Sequence, residues 1–121
     1  MERRIIKILM VGMVFSTACY YDVAERLYPA TACITTNMTY QGDIKPILET
    51  NCYVCHSAAA NNGNVTLEGY PALKNYVDNG KLLGAIKHQS GFSPMPQNAN
   101  PLSTCDQSKI EQWINDGALN N

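Results

Sequence analysis

The chain predicts a small all-α domain over residues 41–121, preceded by an N-terminal leader and a short tether. Three observations lead there. No stretch sustains the apolar–polar alternation of a strand. Ile44, Ile47 and Leu48, and later Ile110, Trp113 and Ile114, recur at helical spacing. Residues that start and stop helices bracket the apolar segments.

In chain order, residues 1–18 read as a secretory signal. Arg3, Arg4 and Lys7 precede the apolar run 8–15, and the small residues Ser16, Thr17 and Ala18 follow. The run is too short to span a bilayer as a mature helix. Small residues leading directly into Cys19 resemble the lipobox of bacterial lipoproteins, which implies cleavage before Cys19 and a diacylglycerol on its sulfur. Ser16 stands where that pattern usually has Leu, and cleavage by ordinary signal peptidase is the alternative. Residues 19–40 read as a polar tether rich in Thr and broken by Pro29.

The first helix is expected from an N-cap at Asp43, with Pro46 in the first turn and an end near Asn51. Asn61, Asn62, Gly63 and Asn64 mark an irregular loop. Pro71 starts a second helix, which Asn79-Gly80 stops near Asp78. Leu82, Leu83, Ala85 and Ile86 suggest a third, ending near Gln89-Ser90-Gly91. The Pro-rich stretch 91–101 is irregular. Ser103 caps the last helix with Asp106 three positions on, and Gly117 ends it.

Within this frame the informative stretch is Cys52-Tyr53-Val54-Cys55-His56. Two thiols three positions apart, followed at once by an imidazole, form the attachment pattern of a c-type haem. Positions i and i+3 share a helical face, so both sulfurs can reach one haem edge, and His56 can ligate the iron. For a chain of this composition the pattern arises by chance roughly 0.003 times. The alternatives are half of a zinc site, which needs two more ligands from Cys33, Cys105 or His88, and a thioredoxin-like pair, which lacks a surrounding βαβ pattern.

The opposite iron position has three candidates among the mature residues, with an open or water-filled site as the remaining alternative. Met95 is favoured, because Pro94 and Pro96 stiffen the loop around its thioether. Met38 lies in the tether, where fixing it costs ordering entropy, and reads better as an apolar contact. His88 falls at a helix end and reads as a solvated or capping side chain, with ligation as the alternative. His/Met ligation raises the reduction potential relative to two histidines and leaves no open coordination position.

Five cysteines divide among these roles. Cys19 takes the lipid, Cys52 and Cys55 the haem, and the remainder, Cys33 and Cys105, suggests a disulfide in an oxidising compartment. Two free thiols are the alternative. Loss of the leader takes Arg3, Arg4, Lys7 and Glu2 from nine basic and ten acidic side chains. Six and nine remain, a formal charge of −3. That balance offers no basic stripe for nucleic acid and favours partners with a basic docking patch. The domain is short for a self-sufficient core, so the haem is expected to contribute to folding.

The haem motif, the Pro94-Met95-Pro96 loop and a closing helix with Ile110, Trp113 and Gly117 together resemble small class I (cytochrome c-type) mono-haem domains. With Cys19, the chain resembles a bacterial cytochrome c lipoprotein. The resemblance implies a helical domain wrapped around one covalent haem, with Cys52 and Cys55 as thioether anchors, His56 as proximal ligand and Met95 as distal ligand. It implies thioether formation outside the cytoplasm, and first and last helices that cross near Trp113. The expected role is one-electron transfer between membrane-associated redox proteins on the periplasmic side, with no small-molecule substrate and no enzymatic activity. A haem-based sensor or stress lipoprotein with a displaceable sixth ligand is the alternative. A peroxidase ranks last, since His88 has no evident acid–base partner.

Overall fold

A computed structural model describes residues 32–121. The leader 1–18, Cys19 and most of the tether lie outside the described residues. The elements that follow are all helical, with no strand among the described residues. A π-helical turn, Tyr40–Ile44, runs into α1, Lys45–Asn51, and α2, Tyr53–His56, follows at once. A 3-10 turn, Asn62–Asn64, precedes α3, Tyr70–Asp78, α4, Lys81–Ile86, and α5, Thr104–Asn115. No helix among the described residues is long and apolar enough to cross a membrane.

The first turn starts earlier than Asp43. Thr39 is the N-cap, with extended backbone and a hydroxyl that accepts from the Gly42 N–H at 3.1 Å. The Asp43 carboxylate reaches back, accepting from the Thr39 N–H at 2.8 Å and from its hydroxyl at 2.9 Å. Asp43 is thus the acidic partner of a reciprocal cap, not the cap itself. Pro46 falls in the first turn of α1, where a missing N–H costs nothing. The Cys52 carbonyl accepts from the N–H groups of Cys55 and His56 at 3.1 and 2.9 Å, which winds α2 directly onto the end of α1.

At the other end, Ser103 Oγ accepts from the Asp106 N–H at 3.0 Å and donates to the Asp106 carboxylate at 2.8 Å. Helix α5 stops at Gly117, whose φ of 98° is left-handed and suits glycine.

The compact unit spans Cys33–Asn121, so the last part of the expected tether belongs to the fold. Met38 and Tyr40 are buried in the core. The Tyr40 ring stacks on Trp113 with centroids 6.0 Å apart and meets Tyr70 edge-on at 5.3 Å. Burying these aromatic faces offsets the ordering cost that the polar neighbours suggested. Trp113 is 1 % exposed and its indole N–H donates to the Leu119 carbonyl at 3.0 Å. The Tyr40 and Gln41 N–H groups donate to the side-chain and main-chain oxygens of Asn121, each at 3.0 Å. The π-turn and the end of α5 therefore meet, with Trp113 as plain core between them.

Candidate functional site

Local hydrogen bonding places the Cys-x-x-Cys-His residues on the lining of a cavity. The tight junction of α1 and α2 presents Cys52, Cys55 and His56 to it. Leu67, Tyr76, Leu82 and Ile86 form apolar walls from the Val65–Leu67 segment, α3 and α4, and Phe92 and Met95 close it from the irregular loop. Its volume is about 840 Å³, near the top of the range that takes small molecules and cofactors.

Cys52 is half-buried, and desolvation pushes its thiol up to about 11. It therefore stays a neutral thiol at physiological pH. Cys55 is exposed, and both cysteines are free thiols. His56 Nδ1 lies 3.2 Å from the Val65 carbonyl. A carbonyl only accepts, so Nδ1 carries a proton, and in the neutral ring Nε2 keeps its lone pair. A backbone carbonyl on the far ring nitrogen is how a ligating histidine is usually oriented. The segment that supplies Val65 is itself pinned, since the Leu67 N–H donates to the His56 carbonyl at 2.8 Å.

Met95 lines the same cavity and is partly buried. Its N–H donates to the Ala85 carbonyl at 3.0 Å, and its carbonyl accepts from His88 Nε2 at 3.1 Å. Met38 is in the core, and His88 engages the Met95 main chain. The structure thus brings together Cys52, Cys55, His56 and Met95. It leaves Met38 and His88 off the lining. Cys33 and Cys105 are joined to each other with Cα atoms 5.5 Å apart, which withdraws both from any zinc site. No cluster of three or more His, Cys, Asp or Glu side chains suited to a metal occurs among the described residues.

Comparison with known proteins gives no match. No family model, curated protein or solved structure aligns significantly with the chain. The site must therefore be read from its own geometry. Two contacts in it escaped sequence reasoning. Val65 contributes through its main chain, which leaves no side-chain signature. His88 did leave a signal, a histidine just past a helix end where glycine is commonest.

Proposed function

We propose that the domain holds one covalent c-type haem and serves as a one-electron carrier between membrane-associated redox partners on the periplasmic side of a bacterial membrane. The observation that supports this most is the convergence of Cys52, Cys55, His56 and Met95 on one largely apolar cavity of about 840 Å³. Size, lining and donor set suit a flat apolar macrocycle with an iron centre. Two thiols three positions apart would anchor it, and the His56 imidazole and the Met95 thioether would be the donors to its iron.

Bound there, the haem would supply reversible Fe(III)/Fe(II) cycling. The chain's own contributions follow from its contacts. Val65 fixes the His56 tautomer so that Nε2 is the available donor. Leu67, Leu82 and Ile86 exclude water, which lowers the local dielectric. The bonds to Ala85 and His88 hold the Met95 main chain against α4. With Met95 as a second donor beside His56, the site would disfavour oxygen and peroxide chemistry and favour electron exchange.

The test is the full chain matured in a host that attaches c-type haem. The pigment should resist extraction by acidified solvent after denaturation. The oxidised protein should show the weak thioether-to-iron band, and Met95→Ala should lose it and bind carbon monoxide once reduced. Extractable pigment, or no pigment, rejects the proposal. A wild-type ferrous protein that binds carbon monoxide readily would favour a ligand-sensing role instead.

A further inference from the structure

Three helices here end with a left-handed residue just beyond the cap. After α3 it is Gly80 (φ 74°), and after α5 it is Gly117 (φ 98°). After α4 it is His88 (φ 51°). The closing bonds of α4 and α5 match. The His88 N–H donates to the Ala85 carbonyl at 3.2 Å and the Gln89 N–H to the Gly84 carbonyl at 2.9 Å. Likewise the Gly117 N–H donates to the Ile114 carbonyl at 3.0 Å and the Ala118 N–H to the Trp113 carbonyl at 2.8 Å. The backbone where His88 stands thus favours glycine as it does at Gly117, and a side chain there is strained. A strained residue persists where its surroundings over-determine it.

The imidazole has one such contact. His88 Nε2 lies 3.1 Å from the Met95 carbonyl oxygen, which can only accept, so Nε2–H is the donor. The Met95 N–H is already bonded to Ala85. Both main-chain polar groups of Met95 are therefore tied to the C-terminal end of α4, one to Ala85 in its last turn and one to His88 just past its cap, across a loop in which residues 89–94 are all exposed.

We infer that His88 is a positioning residue for Met95: its ring fixes the loop so that the thioether stays directed to the iron site. This rests on Met95 being the axial ligand proposed above. The left-handed turn alone does not need the imidazole, and a glycine in its place would satisfy the turn better.

That difference supplies the test. His88→Gly relaxes the backbone and deletes the donor, whereas His88→Gln keeps the strain and offers an amide N–H at similar reach. Each is compared with wild type as matured haem protein, by the thioether-to-iron band and by carbon monoxide binding to the reduced form. His88→Gly should keep its covalent haem and helical signal but weaken the band and bind carbon monoxide about tenfold more tightly. That is the shift expected when one hydrogen bond no longer holds Met95 in place. His88→Gln should stay close to wild type. A His88→Gly protein with an unchanged band and unchanged carbon monoxide affinity overturns the role, as does a His88→Gln protein that behaves like His88→Gly. A wild type with covalent haem but no thioether band removes Met95 ligation and this role with it, and leaves the haem assignment standing.

Discussion

Asp43 ties the acid sensitivity of the domain to its first turn. The Thr39 N–H and then its hydroxyl donate to the carboxylate, which holds Asp43 below its usual 3.8. A carboxyl whose folded pKa is depressed contributes stability above its unfolded value, and loses it as pH falls through the folded value. Asp43→Asn should therefore lower the urea midpoint at neutral pH, with the gap to wild type closing below about pH 4. A gap that persists undiminished to about pH 2 would show that the charge is irrelevant. Tyr53 presents a different local balance. Its hydroxyl is buried without a hydrogen-bond partner among the described residues, and burial holds the phenol above the ordinary tyrosine range.

At the scale of elements, α4 depends on one close approach. A Cβ on Gly84 would stand 2.5–2.7 Å from three ring atoms of Phe92, and Phe92 lines the cavity. Alanine is the better helix former by about 1 kcal/mol, yet the displaced ring should outweigh this. Gly84→Ala is expected to destabilise by about 1–3 kcal/mol in urea unfolding, and a stabilised variant would mean that Phe92 moves freely. Helix ends were legible in the sequence where a single residue decides them, as at Pro46, Pro71, Ser103 and Gly117. The start of the π-helical turn was not, because Thr39 and Asp43 can both cap and only the backbone says which one does. Cys52, Cys55 and His56 were legible because their spacing is local. The cavity walls were not, since Leu67, Tyr76 and Ile86 come from separate segments that meet only on folding. Met38 was legible as an apolar contact, whereas Tyr40 was hidden for a related reason, its polar neighbours masking long-range burial against Trp113.

For the molecule as a whole, the bond between Cys33 and Cys105 closes a loop of 72 residues around a small core. In the chain-entropy model such a loop contributes about 4 kcal/mol by restricting the unfolded chain. The double variant Cys33→Ser, Cys105→Ser should lose a comparable amount in urea unfolding while leaving unchanged the visible spectrum of the haem-loaded form proposed above. The cavity lining includes neither residue, so an altered spectrum of that form would contradict the separation of staple from site. A loss of less than about 1 kcal/mol would show that the open chain is already compact. The same bond sets how mechanical load enters the domain. A pull on the polypeptide ahead of residue 33 passes through sulfur to Cys105 in the first turn of α5, bypassing residues 34–39 and the clasp at Thr39. Tension drawn along the upstream chain would be borne by α5 while the motif-bearing turns stay slack.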